Sequence, residues 1–178
     1  MLQAVMTTKI LIDNNHIYDM MLFMNIEHAI NVALDPSSPK LEGSAAVFIR
    51  LNNSYGLKYY ESAWVRDDAH LKQDIAAKNN FAPPVGEKFE FLLPNKQRFY
   101  GFITGTVVET SIEYFQGMLR IRPGEMSVLN NLNNAILKRV NELKDATGLV
   151  MHDNHIGNNG LSPDGNIWFI DFDFCDLK

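Results

Sequence analysis

The sequence predicts an α+β fold of two lobes, with an antiparallel sheet in the first lobe and a reduced helical second lobe. Residues 45–60 contain two strand-like runs around an Asn-Asn-Ser turn, which is typical of a β-hairpin. Two further runs, 88–93 and 98–109, alternate or stay apolar as strands do. From Ser127 to Gly148, apolar residues recur every three or four positions, which indicates a long helix. Strands grouped before a long helix are typical of this class.

Length and composition limit the size and setting of the protein. The chain has 178 residues and a hydrophobic content of 46%, enough to bury a core in one domain or two small lobes. Its single cysteine, Cys175, excludes an intramolecular disulfide, and the first residues lack the pattern of a signal peptide. We therefore expect a cytoplasmic protein.

Charge and hydropathy bear on the class of partner. The net charge is −5 and there is no basic run, which argues against nucleic acid because phosphate neutralisation needs clustered Lys and Arg. No apolar stretch reaches the roughly 20 residues of a membrane span. We expect neither nucleic acid nor a membrane as the main partner.

The most informative segment holds two acids and an amide near the C-terminal end. Asp153 precedes Asn158 by five positions, and Asp171 follows Asn158 by thirteen. The interval contains Ser-Pro-Asp-Gly and then an aromatic run, which predicts a hairpin. Phosphoryl transfer needs one carboxylate to orient a hydroxyl, and one carboxylate plus one amide oxygen to hold Mg²⁺. Asp and Asn also cluster in turns for conformational reasons, so an ordinary loop is the alternative.

These residues resemble the catalytic loop and metal-binding segment of the protein-kinase-like superfamily. The loop is similar to the Asp-x-His-x-Gly-Asn loop of small-molecule and atypical kinases, and Asp171 opens an Asp-Phe-Asp motif. The resemblance implies a nucleotide site for ATP and Mg²⁺, with Asp153 orienting the acceptor hydroxyl and Asn158 and Asp171 holding the metal. Two positions depart from the pattern: Met151 stands in place of a His, and Asp173 in place of a glycine.

The same resemblance extends upstream. Lys58 falls in the second strand of the hairpin, where the superfamily places a lysine that pairs with the nucleotide phosphates. Gly43 stands where a glycine-rich loop would cover them. Residues 66–79 suit a helix with Leu71 and Ile75 on its apolar face, and the resemblance implies that an acid of this helix pairs with Lys58. Asp74, near the middle, is the predicted partner. Solvated side chains and an ordinary turn are the alternatives for these three residues.

The resemblance also implies a division of the chain. Residues 1–40 form an N-terminal extension expected to pack on the lobes, 41–110 the first lobe and 111–178 a truncated second lobe. The adenine would meet a hinge at 107–111. Only seven residues follow Asp171, so the helices that usually complete the second lobe are absent. We therefore predict that the apolar stripe of the long helix is exposed and draws a protein partner or a homodimer.

Two functions follow from the resemblance. In the first, the protein binds nucleotide and, as an ATP- and Mg²⁺-dependent phosphotransferase, acts on a hydroxyl acceptor. In the alternative it is an inactive pseudokinase that works as an adaptor, inhibitor or regulatory module. A zinc site made by His152, His155 and Asp171 is a third and more distant interpretation, since structural zinc usually takes cysteines as well.

Overall fold

A five-stranded antiparallel sheet forms the first lobe. The computed structural model describes residues 26–178, except residues 44, 94 and 122–125. The strands of this sheet are β1 (Leu41–Glu42), β2 (Ala46–Arg50), β3 (Tyr55–Tyr60), β4 (Val85–Leu92) and β5 (Arg98–Gly105). Their order across the sheet is β1-β2-β3-β5-β4, and each neighbouring pair is antiparallel. The predicted antiparallel sheet and α+β class are confirmed.

The hairpin of β2 and β3 places Lys58 in the middle of the sheet. The Asn52 side chain accepts hydrogen bonds from the backbone N–H groups of Ser54 and Tyr55, which closes the predicted turn. Lys58 pairs in register with Phe48 of β2 on one side and with Phe102 of β5 on the other. Because β3 is an interior strand, its whole length is buried. A charged side chain here needs a partner.

Two helices flank this sheet. Helix α1 (Ile26–Leu34) lays Ala29 and Ala33 on a cluster that includes Ile49 and Leu57. It is the described part of the predicted N-terminal extension, whose residues 1–25 lie outside the described residues. The second helix, α2 (Ala63–Lys78), connects β3 to β4 and begins with Ser62 as its N-cap.

The predicted apolar face of α2 is wrong. Leu71 is 51% exposed, and the buried residues of this helix are Ala69, Lys72, Gln73 and Ala76. Small side chains let the helix lie close to the sheet, so alanines occupy the inner face while Leu71 and Trp64 point outward. The prediction is therefore wrong for Leu71, whereas Ile75 is half-buried and packs against the core of the second lobe.

The second lobe is built on two helices and short strands. Helix α3 (Ser111–Ile121) follows strand β6 (Glu109–Thr110), and helix α4 (Met126–Thr147) leads into β7 (Leu149–Met151). A 3₁₀ turn (Ile156–Asn158) precedes the hairpin of β8 (Asn159–Leu161) and β9 (Ile167–Phe169), and β10 (Cys175–Leu177) pairs with β7. Gly148 has a φ of +77°, which confirms it as the end of the long helix. None of the helices in the described ranges is long and apolar enough to cross a membrane.

The apolar stripe of α4 is covered by this chain itself, which corrects the prediction of an exposed stripe. Leu132, Ile136 and Leu143 are buried. The residues that share their cluster are Ala76, Phe81, Ala82, Leu149, Met151, Phe169, Phe172 and Cys175. The connection from α2 to β4 and the residues from β9 onward thus contribute the cover over this stripe. An exposed stripe was the reason for predicting a partner at this surface, and that reason no longer applies.

Leu143→Ala should lower the free energy of unfolding by about 2–5 kcal/mol, because Leu143 is fully buried at the centre of this cluster. Leu137→Ala on the same helix is the matched control, and we expect a change within about 0.5 kcal/mol because Leu137 is 55% exposed. Denaturant unfolding of both variants measures the difference. Equal losses would contradict the assignment of the core face of α4.

Candidate functional site

A cavity of about 570 Å³ lies between the sheet and the second lobe. Lys58, Asn158, Asp171 and Gly43 all line it, so four of the six predicted site residues meet at one place. Asp153 and Asp74 are not among its lining residues. The fold therefore brings Lys58 and Asp171 to one cavity, and the functional roles of all six residues stay predictions.

Lys58 is the buried cation of the cavity. Its residue is only 7% exposed, and its Nζ lies 3.0 Å from Asp171 Oδ1 and 3.4 Å from Asp173 Oδ1. Burial acts to lower the pKa of the Lys58 ammonium, whereas Tyr60, Asp171 and Asp173 raise it, and the net pKa lies above the usual value for lysine. Lys58 is therefore charged at neutral pH and held by two carboxylates.

The two carboxylates differ in their surroundings. The Asp171 side chain is 29% exposed, whereas that of Asp173 is 4% exposed and also accepts a hydrogen bond of 3.1 Å from Tyr60 Oη. Burial raises the pKa of Asp171, but the pull of Lys58 outweighs it and the net pKa is lowered. For Asp173, burial and the neighbouring Asp171 raise the pKa in spite of Lys58. Asp171 is the more readily ionised of the pair.

The loop after β7 is held by its own side chains. Asn158 Nδ2 donates to the backbone oxygen of Asp153 at 3.0 Å, and the backbone oxygen of Asn158 accepts from the N–H of Ile170 at 3.0 Å. The first bond closes the loop, and the second ties it to the residue just before Asp171. The Asp153 carboxylate is half exposed and lies 3.6 Å from His155 Nε2. Asn158 and Asp171 are thus placed together while Asp153 faces outward beside them.

Asn159 holds this loop by hydrogen bonds, a role that the sequence analysis did not predict. It is fully buried, donates to the backbone oxygen of His155 at 2.8 Å, and accepts a hydrogen bond from the Ser111 hydroxyl. These two hydrogen bonds join the start of α3 to the loop after β7. The signal in the sequence was the second asparagine of the Asn158-Asn159 pair. An amide at the start of a buried strand needs hydrogen-bond partners, so it indicates a structural role.

The predicted pairing of Asp74 with Lys58 is not formed. Asp74 Oδ2 lies 2.6 Å from Lys78 Nζ, one helical turn further along α2. Gln73, not Asp74, faces the cavity, and its Nε2 donates to Thr104 Oγ1 at 2.7 Å and to the Pro83 oxygen at 3.0 Å. The buried residues of α2 include Gln73 but not Asp74, so Asp74 pairs within the helix instead.

The predicted hinge is partly engaged by protein groups. Val107 accepts a hydrogen bond of 3.3 Å from the Arg50 guanidinium, and the N–H of Val108 donates to Leu161 at 2.8 Å. The second bond joins the segment after β5 to the second lobe. Val107 and Arg50 both line the cavity.

The two metal predictions, a zinc site and a Mg²⁺ site, have different outcomes. No group of three or more His, Cys, Asp or Glu side chains within the described ranges could hold a metal ion, so the zinc interpretation is wrong as a ready-made site. His152 pairs instead with Asp176, at 2.8 Å. The predicted Mg²⁺ ligands are one amide and one carboxylate, Asn158 and Asp171, and this pair stays a prediction.

Comparison with solved structures shows what class of fold this is. The chain is similar to WbdD, with a TM-score of 0.53 and 12% identity over 81% of this chain and 34% of that one. It is also similar to WaaP, solved in complex with acyl carrier protein, with a TM-score of 0.55 and 14% identity over 90% of this chain and 69% of that one. WbdD has also been solved with a kinase inhibitor.

The chain has a protein-kinase-like fold, as these likenesses and the strand order show. It spans about a third of the WbdD structure and about two thirds of the WaaP structure. No protein-family profile matches the sequence. No curated protein matches it either.

Proposed function

We propose that this protein binds a nucleotide with Mg²⁺ in the cavity between its lobes and transfers a phosphoryl group to a hydroxyl acceptor. The observation that carries the proposal is the ion pair of Lys58 with Asp171, 3.0 Å long, in a cavity that Asn158 also lines. These three groups come from β3, the loop after β7 and the segment after β9. Their convergence on one cavity favours a shared ligand over three unrelated solvated side chains.

The lining of the cavity fits a nucleotide. Ala46, Val107 and Ile170 offer apolar surface of the kind that accepts a purine ring, while Lys58 supplies a cation for phosphate. Gly43 lies at the same cavity, and a side chain there would come within 3.2 Å of the Ala46 oxygen. A volume of about 570 Å³ is in the range of small-molecule sites.

Each residue has a distinct task in this proposal. Lys58 would bind phosphate oxygens as a point charge, and Asn158 and Asp171 would hold Mg²⁺ with hard oxygen ligands. A bound Mg²⁺ would neutralise negative charge on the phosphates. Asp153 would orient the acceptor hydroxyl and take up its proton. Its half-exposed carboxylate stands where an acceptor can approach from solvent.

The alternative is a catalytically inactive pseudokinase that works as an adaptor, inhibitor or regulatory binding module, with or without bound nucleotide. Two observations favour it. Asp153 is not a lining residue of the cavity, and Met151, which stands where the superfamily usually has a histidine, is buried in the core of the second lobe. A protein that binds Mg²⁺–ATP without turning it over would match this second function.

Thermal unfolding with and without Mg²⁺–ATP tests the proposal, since a ligand that binds only the folded state raises the melting temperature. We expect a rise in the wild-type protein and a much smaller one in Lys58→Met, because that variant lacks the phosphate cation. At 100 times the dissociation constant the expected gain is about 2.7 kcal/mol. Absence of any shift in wild type would contradict nucleotide binding and with it the phosphotransferase, and would leave an adaptor that works without nucleotide. A shift without hydrolysis of Mg²⁺–ATP would select the pseudokinase.

A further inference from the structure

Lys58 has no acidic partner on helix α2. The helix carries three acids, and each is paired with another cation. Asp67 lies 2.7 Å from Arg66 and 3.0 Å from Lys88, Asp68 lies 2.5 Å from Lys72, and Asp74 lies 2.6 Å from Lys78. The group that α2 turns to the cavity is the neutral amide of Gln73. The partner of Lys58 must therefore come from elsewhere in the chain.

Both carboxylates at Lys58 come from the segment after β9, but they differ in their exposure to solvent. Asp171 is the more exposed, and in the proposed function it is a ligand of Mg²⁺. If Asp171 turned to Mg²⁺, Asp173 would be the carboxylate of the described residues that stays at Lys58. A buried ammonium needs a fixed partner, so this second carboxylate would hold Lys58 in place as phosphate oxygens approach it.

Asp173 is fixed where it can do this. Its Oδ1 lies 3.4 Å from Lys58 Nζ and accepts the Tyr60 hydroxyl at 3.1 Å. Tyr60 follows Lys58 by two positions on β3, so both side chains leave the strand on the same face. The Tyr60 ring centroid also lies 5.5 Å from Lys58 Nζ. Lys58, Tyr60 and Asp173 thus form one buried cluster, in which Asp173 supplies the carboxylate.

We propose that Asp173, held by Tyr60, is the residue that positions Lys58 for the nucleotide, in place of an acid on α2. The inference rests on the proposed function, because it concerns how Lys58 is presented to phosphate. It also gives a role to the aspartate that departs from the glycine of the superfamily motif. Asp173 lines the cavity beside Lys58. In this inference it acts through Lys58 and not as a ligand of nucleotide or metal, so it is a positioning residue.

A double-mutant cycle on nucleotide affinity tests this. The dissociation constant of Mg²⁺–ATP is measured for wild type, Lys58→Met, Asp173→Asn and the double variant. We expect Asp173→Asn alone to weaken binding by about tenfold or more, since it removes a charged partner of Lys58. In the Lys58→Met background the same change should matter less than about twofold. A residue acting through Lys58 has nothing left to position once Lys58 is gone.

The control is Asp176→Asn, the same change at an exposed aspartate three positions further on, which should leave affinity unchanged. Tyr60→Phe should reproduce part of the Asp173→Asn loss. An equal Asp173→Asn effect with and without Lys58 would overturn the inference and point to direct metal binding. Wild-type binding with no Asp173→Asn effect would overturn it while leaving the proposed function intact. No binding by the wild type would overturn both.

Discussion

Asp171→Ala is expected to weaken Mg²⁺-dependent nucleotide binding by about 100-fold or more, because it removes the carboxylate that pairs with Lys58 and that we propose as a metal ligand. The fold should survive. Lys58 keeps Asp173 as a counter-ion at 3.4 Å, and the Asp171 side chain is not part of the apolar core. Isothermal titration with ATP, with and without Mg²⁺, measures the effect.

Two comparisons sharpen this experiment. Asp176→Ala changes an exposed aspartate on the adjoining strand and should bind as wild type does. The melting temperature of Asp171→Ala should fall by less than about 5 °C, which separates loss of a ligand group from loss of the fold. A well-folded Asp171→Ala protein with unchanged affinity would remove Asp171 from the metal site.

Asp153→Asn is expected to lower turnover by about 10²- to 10⁴-fold while nucleotide affinity stays within about twofold. The amide cannot take up a proton from the acceptor, but it occupies the same space as the carboxylate. The loop itself should not change, because Asn158 is bonded to the backbone oxygen of Asp153 and not to its side chain. Hydrolysis of Mg²⁺–ATP, with water as acceptor, gives the rate without a known substrate.

The matched control is Asp145→Asn, at an exposed position near the end of α4. It should retain the wild-type rate and affinity. Full residual turnover in Asp153→Asn would reject Asp153 as the orienting base. A parallel loss of affinity would instead show that this carboxylate contributes to the nucleotide or metal site.

Local pattern was enough to predict the parts of the site that lie close together in the chain. Alternating runs around Asn52 and Gly165 predict two hairpins, and the structure contains both. Asp153 and Asn158 belong to one short loop, whose closing hydrogen bond spans five residues. Turn chemistry and strand periodicity act over a few residues, so they are readable without the fold.

The orientation of α2 could not be predicted in the same way. Its sequence places Leu71 and Ile75 one turn apart, yet the buried face carries alanines, Lys72 and Gln73. Which face is buried depends on how closely the sheet lets the helix approach, and that is a property of the partner surface. The same error assigned Asp74 to Lys58, since a helix rotation moves every side chain at once.

The sequence by itself determined the α+β class, the position of Lys58 on the second strand of a hairpin and the spacing of Asp153, Asn158 and Asp171. Only the tertiary structure decided the partners of Lys58, which lie 113 and 115 residues away, and the cover over α4, to which Phe172 and Cys175 contribute. Turns and strands follow from neighbouring residues. An ion pair or a shared core between distant residues depends on the path of the whole chain. A buried charge needs a partner, and only the fold decides which residues come within reach of it.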